Sequence, residues 1–322
     1  MIFFRTPKFW YENPNILQKI FLKPIANIYS HISTKNYWKD YRYKSLKTKV
    51  IAVGGITVGG SGKTMVVQSI CEKLKEKNKR VAVLSRGFGR LSEETLLVNS
   101  KIHSYKDVGD EPLLLSSSTL VYVGKDRSKS AKLAEQDGLE FLILDDGITQ
   151  KFLKPDIKLI VIDEEQQRRG NNEMFPLGPN RLDFNKIKSD INGIIVLGQH
   201  PQPHFIDDKI PVFLGEIQFD FSQIKEKVVA FCGIGYPDKF FNSLKNIDVI
   251  KKVIFPDHYP FSEKDLSRLV AEAESQNAQL VTTEKDLMRI PLKYRSAIAI
   301  LPIKIIWKNS IDPLFAFIEK GD

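Results

Sequence analysis

The residues with the clearest chemical meaning form a glycine-rich loop: Thr57, Val58, Gly59, Gly60, Ser61, Gly62, Lys63 and Thr64. The loop follows an apolar run at 51–53 and precedes a helical pattern, the setting that a phosphate-binding loop requires. Glycines let backbone N–H groups converge on phosphate oxygens, and the helix N-terminus adds partial positive charge. We expect Lys63 to reach the β- and γ-phosphates of a nucleoside triphosphate and the Thr64 hydroxyl to lie on Mg²⁺.

This loop departs from the strict pattern at its first position, because Thr57 stands where that pattern has glycine. Gly59 and Gly60 can supply the flexibility instead. The alternative is an accidental Gly-Lys-Thr in a turn, and the strand and helix predicted on either side argue against it.

A second acidic element follows the apolar run Phe141–Leu144, where Asp145 and Asp146 stand in the position of a Walker-B segment. Ligands of open parallel sheets collect at the carboxyl ends of the strands, so we expect both acids to face the phosphates and bind the metal. The alternative is a plain Asp-Asp-Gly turn after a strand.

Three further clusters could serve a phosphate acceptor, because phosphoryl transfer to a hydroxyl needs positioning, charge neutralisation and usually a carboxylate. They are Val108–Pro112 with two acids, Phe255–Phe261 with a histidine beside an aspartate, and Thr282–Asp286 at a strand end. Each of them taken singly is more often a capped turn than a catalytic element.

The elements that must position these residues alternate between strand and helix patterns, which predicts an α/β fold. Expected strands are 49–53, 81–84, 120–123, 141–144, 159–162, 194–196, 228–231, 249–254, 280–282 and 297–301. Expected helices are 63–76, 127–136, 263–276 and 311–319, and 198–212 is expected to be a loop. We predict a P-loop NTPase-type parallel sheet flanked by helices over 49–215 and a smaller α/β domain over 216–322 that closes over the site.

Composition assigns the remaining segment, residues 1–48, to a basic amphipathic region packed on the core domain. The chain has 322 residues and net charge +9, and residues 1–50 hold ten Lys or Arg against two acids. An apolar stripe at helical spacing follows Phe9-Trp10-Tyr11, with Pro24 expected to kink or break the helix. Two alternatives stay open: an interfacial membrane anchor, or a helix whose apolar face packs on the protein's own core.

Other classes are excluded by what the sequence lacks. No apolar run is long enough for a spanning helix, and the N-terminus is a poor signal peptide. The two cysteines, Cys71 and Cys232, are far apart and are expected to be buried thiols in a reducing compartment.

In their order along the chain, these motifs resemble the tetraacyldisaccharide 4′-kinase family of lipid A biosynthesis. The matching stretches are Gly54–Thr64, Leu84–Arg90, Gly109–Pro112, Asp126-Arg127, Leu144–Gly147, Pro176–Arg181, Asp257–Tyr259 and Thr282–Asp286. The phosphate loop alone is unspecific, whereas the ordered set is specific to this family, in which Thr57 is also a usual variant.

The resemblance implies a kinase that uses ATP and Mg²⁺ to phosphorylate the 4′-hydroxyl of a tetraacylated glucosamine disaccharide 1-phosphate. It implies that Asp110 is the general base, that His258 is its partner, and that Glu111 supports the metal or the base. Candidates for substrate binding or charge neutralisation are Arg127, Arg181 and Asp257. The implied location is peripheral, on anionic lipid at the cytoplasmic face of the bacterial inner membrane. We expect a monomer and no nucleic-acid partner.

This chain departs from the family at three places. Ile148-Thr149-Gln150 stands where the family usually has Phe, Gln and His, so no role of that histidine transfers. Met65 replaces a common proline, and Asn180 interrupts the usual leucine before Arg181. The competing class is a membrane-associated P-loop ATPase switch without a small acceptor, and a nucleic-acid-dependent ATPase is a weaker third.

Overall fold

The computed structural model describes residues 6–12, 14–43, 46–199, 209–308 and 312–320. Its larger sheet has nine strands in the order β13-β8-β7-β6-β1-β5-β2-β4-β3. Their bounds are β1 Lys49–Gly54, β2 Val81–Ser85, β3 Leu96–Leu97, β4 Leu120–Val123, β5 Phe141–Asp145, β6 Ile157–Asp163, β7 Gly193–Leu197, β8 Val212–Phe219 and β13 Ile303–Trp307. The seven strands from β8 to β4 are parallel, and the two outer strands are antiparallel to their neighbours.

A smaller, fully parallel sheet has four strands in the order β10-β9-β11-β12. They are β9 Lys227–Cys232, β10 Asp248–Ile254, β11 Gln279–Thr283 and β12 Ile298–Leu301. We call residues 227–301 the small unit and the nine-stranded sheet with its helices the large unit.

Twelve α-helices cover these sheets in the described part of the chain. They are α1 Ile16–Tyr37, α2 Lys63–Glu76, α3 Tyr105–Val108, α4 Asp110–Leu115, α5 Arg127–Gln136, α6 Glu164–Arg169, α7 Phe184–Ile187, α8 Pro237–Ser243, α9 Glu263–Ser275, α10 Glu284–Leu287, α11 Leu292–Arg295 and α12 Asp312–Lys320. Short 3₁₀ turns occur at Lys8–Trp10 and Lys188–Asp190.

The predicted fold class is confirmed by the two parallel-rich sheets and their flanking helices. Strands that are buried on both faces appear in a sequence as continuous apolar runs, which is why they could be predicted. In β1, Ile51 and Val53 pack into the core beside α2 and α12, while Val50 and Ala52 pack into the opposite core beside α5 and α7. All ten predicted strands lie within two residues of their predicted bounds. The four predicted helices are also present, although Ile311 lies outside the described residues.

Three strands were not predicted, namely β3, β8 and β13. Of the predicted loop 198–212, residues 200–208 lie outside the described residues, and β8 begins at Val212. The predicted division at 215/216 falls inside β8. The chain also returns to the large unit after β12, since β13 pairs with β8 and α12 buries Leu314 and Phe315 in the large unit's core. Only Pro302 separates β12 from β13, so composition does not mark this crossing.

Helix α1 runs without interruption through Pro24 and lies on the large unit by a narrow face. Its buried residues are Ala26, Ser30 and Tyr37, and the Tyr37 hydroxyl donates to Asp190 Oδ2 at 2.8 Å. The predicted apolar stripe faces outward instead, with exposed fractions of 51–76% at Ile16, Leu17, Ile20, Phe21, Ile25, Ile28 and Ile32. The core-packed alternative for this stripe is therefore wrong. Within the described ranges, no helix is both long and apolar enough to span a bilayer.

Candidate active site

The phosphate loop connects the end of β1 to the start of α2, as the sequence predicts. Gly59, Gly60 and Gly62 have φ values of +67°, +65° and +79°, in the left-handed region that favours glycine. A side chain at Gly62 would also lie 2.4 Å from Leu197 Cδ1. All three positions thus favour glycine for their backbone, and Gly60 and Gly62 also lack room for a side chain, whereas Thr57 has no positive φ.

The backbone of the loop is fixed from the segment 176–181. Arg181 Nε donates to Gly55 O at 2.9 Å, and the N–H of Val58 donates to Pro179 O at 2.8 Å. Holding these groups from behind leaves the loop's later N–H groups to face the cavity, which is how such a loop binds an anion. Thr57 is buried and its hydroxyl donates to Gln166 Oε1 at 3.3 Å.

Lys63, the first residue of α2, points back along the loop, where its ammonium donates to Ser61 Oγ at 3.3 Å. Burial lowers the pKa of Lys63, and the carboxylates of Asp146, Glu111 and Asp145 oppose that shift. The side chain therefore lies at the start of α2, close to the acids that the sequence assigns to the metal.

Asp145 and Asp146 lie next to the loop at the end of β5, but their electrostatic surroundings differ. Burial, together with the charges of Glu111 and Asp146, raises the pKa of Asp145 to about 7. Burial also opposes ionisation of Asp146, yet Arg181 and Lys63 hold the pKa of Asp146 well below its usual range. Arg181 forms a bidentate ion pair with Asp146, with Nη1 2.8 Å from Oδ2.

Arg127 begins α5 and is only 5% exposed. One Nη2 hydrogen bond reaches Asp145 O at 3.4 Å, and Nε has no hydrogen-bond partner among the described residues. A buried guanidinium with an unused donor beside two carboxylates can accept an anion. Arg181, in contrast, donates hydrogen bonds to Asp146 and to Gly55 O, so it orients that carboxylate and the loop.

Asp110 and His258 meet across the boundary between the two units. His258 Nδ1 lies 2.9 Å from Asp110 Oδ2, and the backbone of His258 is left-handed at φ +56°. Asp110 is 3% exposed and lies behind the histidine, which itself lines the cavity. The fold therefore brings a carboxylate of the large unit and an imidazole of the small unit into direct contact.

Lys285 completes this contact and was not predicted to be a site residue. Its ammonium donates to Glu111 Oε1 at 3.0 Å and lies 3.3 Å from His258 Nε2. Burial works against its charge, but Glu111, Asp110 and Asp257 raise the pKa of Lys285 well above its usual range. An ammonium can only donate, so Nε2 of the neutral imidazole accepts and Nδ1–H donates to Asp110. This fixes the tautomer.

Arg289 was also missed, because no motif contains it. It is 2% exposed, with Nε 3.2 Å from Asp110 Oδ2, and it pairs with Asp286. Burial opposes the charge of Asp110, but Lys285, His258 and Arg289 keep the pKa of that carboxyl well below its usual range. Asp110 is therefore an anion in the folded protein. The Thr282–Asp286 cluster was the sequence feature that could have drawn attention to Arg289, which lies three residues beyond it.

The departures at 148–150 have structural roles in this chain. Ile148 is 1% exposed in the large unit's core, and the Gln150 side chain accepts from the N–H groups of Phe152 and Leu153 at 2.9 and 3.0 Å. Gln150 thus closes the turn after β5. Thr149 and Gln150 also line the cavity, without an ionisable group at either position.

A cavity of about 790 Å³ joins these groups. The large unit contributes the phosphate loop from Val58 to Thr64 together with Glu111, Arg127, Asp145, Asp146 and Arg181, and the small unit contributes Asp257, His258 and Lys285. Phe88 also lines it and is 55% exposed, with its ring 5.0 Å from that of His258. Apart from Thr57 and Asp110, which lie directly behind the surface, all predicted site residues therefore border one space.

The donors in this space fit Mg²⁺ bound together with phosphates. Within the described ranges, no group of three or more His, Cys, Asp or Glu could hold a metal ion unaided. Mg²⁺ commonly takes only one or two carboxylates and completes its octahedron with water and substrate phosphates. Thr64, Asp145 and Asp146 supply oxygen donors of that kind. Burial and the neighbouring carboxylates raise the pKa of Asp145, and a bound cation would oppose both effects.

Comparison with known proteins adds an independent observation. A family model described as tetraacyldisaccharide-1-P 4′-kinase (LpxK) matches residues 18–318. The tetraacyldisaccharide 4′-kinase of Gluconobacter oxydans is 30% identical over 319 residues, covering 96% of each chain. That of Rhodospirillum centenum is 31% identical, covering 98% of this chain and 97% of the relative. A crystal structure titled as the "apo" form of LpxK from Aquifex aeolicus in complex with ATP is 26% identical, with a TM-score of 0.73 over 95% of this chain and 99% of that one.

Proposed function

Because this chain belongs to the tetraacyldisaccharide 4′-kinase family, as its motifs predict, we propose that it transfers the γ-phosphoryl group of ATP to the 4′-hydroxyl of a tetraacylated glucosamine disaccharide 1-phosphate. The single observation that carries this proposal is the shared cavity, in which a phosphate loop faces an Asp–His pair. A nucleotide switch needs no such pair, since water positioning alone suffices for hydrolysis.

The ATP side of the reaction rests on the loop. Its N–H groups and Lys63 bind the β- and γ-phosphates, and the unpaired donor of Arg127 is placed to neutralise charge on the transferred group. Thr64, Asp145 and Asp146 would hold Mg²⁺, with Glu111 as a nearby carboxylate. The bound ion would offset negative charge on the phosphates.

The acceptor side rests on Asp110 and His258. The resemblance assigns the general base to Asp110, but Asp110 is buried behind His258 and does not line the cavity. This order supports a dyad in which His258 Nε2 takes the proton of the 4′-hydroxyl and anionic Asp110 stabilises the imidazolium through Nδ1–H. Lys285 must then release Nε2 when the acceptor binds.

The lipid side rests on α1. Its outward stripe of seven apolar residues (51–76% exposed) lies in a segment rich in Lys and Arg. Trp10, which precedes the helix, is buried in the protein and does not belong to this outward surface. An exposed apolar face with flanking cations inserts into the headgroup region of an anionic bilayer. In this location the enzyme meets an acceptor whose acyl chains remain in the membrane, which supports a peripheral protein at the inner membrane.

The test supplies γ-labelled ATP, Mg²⁺ and the acylated disaccharide 1-phosphate in vesicles and follows label in the lipid. Full-length protein should yield a labelled lipid, and an acceptor that lacks the 4′-hydroxyl should yield none. Lys63→Ala should abolish labelling of the intact acceptor. Release of inorganic phosphate without a labelled lipid would instead favour the ATPase-switch alternative.

A further inference from the structure

Gln166 lies on the far side of the phosphate loop from the cavity's catalytic groups and has no role in the steps above. It belongs to α6, which follows β6 and is capped by Asp163, whose Oδ1 accepts from the N–H of Gln166 at 2.9 Å. The residue is 2% exposed. A buried amide needs partners for its oxygen and for both of its N–H bonds.

The partners of this amide come from two distant parts of the chain. Oε1 accepts from the Thr57 hydroxyl at 3.3 Å, and Nε2 donates to Gly59 O at 3.1 Å. The oxygen and the nitrogen of the amide are therefore both bonded to the phosphate loop. The second N–H of Nε2 donates to the Tyr11 hydroxyl at 3.0 Å. Since Gly59 O can only accept, the amide cannot be turned around without losing this bond.

Tyr11 in turn contacts the small unit where that unit meets the loop. The rings of Tyr11 and Tyr236 are 4.9 Å apart, and a Cβ added to Gly60 would lie 2.9 Å from Tyr236 Cβ. Five residues earlier in the chain, the Thr6 hydroxyl donates to Gly235 O at 2.5 Å. The N-terminal segment therefore touches the phosphate loop both through Gln166 and through Tyr236.

We infer that Gln166 is a positioning residue for ATP binding, which fixes the phosphate loop through Thr57 and Gly59 and connects that loop to Tyr11 of the N-terminal segment. Gly59 O belongs to the peptide between Gly59 and Gly60, both of which have a left-handed backbone. The hydrogen bond from Gln166 holds this carbonyl turned away from the side where the phosphates bind. Thr57 takes part because its hydroxyl, which glycine would lack, is the group that Oε1 holds. The inference rests on ATP binding at this loop and not on the identity of the acceptor.

The test measures binding of a non-hydrolysable ATP analogue with Mg²⁺ to the full chain by calorimetry, so acceptor chemistry plays no part. Gln166→Leu keeps the size of the side chain but loses all three side-chain hydrogen bonds. We expect affinity to fall about three- to tenfold or more, as for loss of buried hydrogen bonds. Tyr11→Phe, which keeps the ring on Tyr236, should weaken binding about two- to threefold.

Gln167→Leu is the matched control, because Gln167 is the next residue of α6, is 4% exposed and directs its amide to Asn172. It should lower the melting temperature as Gln166→Leu does but leave ATP affinity within twofold of wild type. A purely structural Gln166 would lower the melting temperature without changing ATP affinity, and that result would overturn the inference.

A double-mutant cycle tests the connection to Tyr11. Adding Tyr11→Phe to Gln166→Leu should cause no further loss of affinity, because the bond between them is already gone. Additive losses would overturn the connection. If wild-type protein itself fails to bind the analogue, the proposed function fails first, so the two failures are distinguishable.

Discussion

Asp145 is a buried acid whose ionisation is shifted toward the neutral form. Its pKa is raised to about 7 by burial and by neighbouring carboxylates. Between the unfolded pKa near 4 and this value the native state binds the extra proton, so stability falls as pH rises through that window. We predict that Asp145→Asn raises the melting temperature of the nucleotide-free protein at pH 8 and flattens its decline between pH 5 and 8, while abolishing kinase activity.

The neighbouring acid provides the opposite control. Arg181 and Lys63 keep Asp146 ionised against the effect of burial, so Asp146→Asn leaves Arg181 without its anion. We expect a loss of about 1 kcal/mol at pH 8, modest because the Asp146 side chain is 41% exposed. If both asparagine variants shifted stability in the same direction, this account of the two carboxylates would be wrong.

A second prediction at this scale concerns proton transfer. His258→Ala and Asp110→Asn should each lower kcat roughly 10²- to 10⁴-fold, the usual contribution of acid–base catalysis, with ATP affinity nearly unchanged. Added imidazole should restore part of the activity of His258→Ala, because it can occupy the space beside Asp110, and should not rescue Asp110→Asn. Rescue is measured as labelled lipid over time. Absence of rescue together with a larger effect at Asp110 would favour Asp110 as the direct base.

Which site residues the sequence could predict depends on how far away their partners lie. Lys63, Thr64 and Asp145 act next to their own strand, so spacing alone places them. Gln166 meets Thr57 across 109 positions, and Lys285 meets Glu111 across 174. No local pattern marks such residues, because only the tertiary fold brings them to their partners.

At the scale of elements, the three strands that were missed, β3, β8 and β13, lie at or next to the edges of the large sheet. The inner strands β1, β5 and β6 are buried along nearly their whole length and read as apolar runs. Strand β8 is half-buried or exposed at seven of its eight positions, and β3 has only two residues. Short or half-exposed strands carry a weaker pattern, and these were not distinguished from loops, although the half-exposed edge strand β10 was predicted from its Val and Ile residues.

Helix α1 gives the prediction that belongs to this scale. Leu17 and Phe21, one turn apart, are 65% and 69% exposed on its outer stripe. Leu17→Glu with Phe21→Glu removes their insertion and adds repulsion from anionic lipid, so sedimentation with anionic vesicles should weaken at least about tenfold. Melting temperature and ATP binding should stay unchanged, since neither side chain packs on the core.

Ile102→Glu is the control for that variant, because Ile102 is 74% exposed but lies outside α1. It should sediment with vesicles as wild type does. Equal binding of the α1 variant and this control would show that the stripe does not contact lipid.

At the scale of the whole molecule, the two units are joined by charges as well as by chain connections. Asp110 of the large unit contacts His258 and Arg289 of the small unit, and Lys239 of the small unit pairs with Asp163 of the large one. The acceptor chemistry therefore sits on the boundary itself. Whether the small unit closes over the cleft, as the sequence predicts, depends on how strongly these ion pairs hold the boundary.

Arg289 is the residue on which this joining can be tested, because its guanidinium lies between Asp110 and Asp286 and also donates to Tyr259 O and Gly233 O at 2.9 Å. Arg289→Met leaves buried Asp286 without its ion-pair partner and Asp110 with only Lys285 and His258. Removing one partner of a buried pair typically costs about 3–5 kcal/mol. Urea unfolding followed by tryptophan fluorescence and by far-UV circular dichroism should give coincident curves for wild type and two separated transitions for the variant. Arg289→Lys keeps the positive charge but loses the planar guanidinium that reaches both carboxylates, so the separation of its two transitions should lie between those of wild type and Arg289→Met. Coincident, unshifted curves for Arg289→Met would mean that packing alone holds the units together.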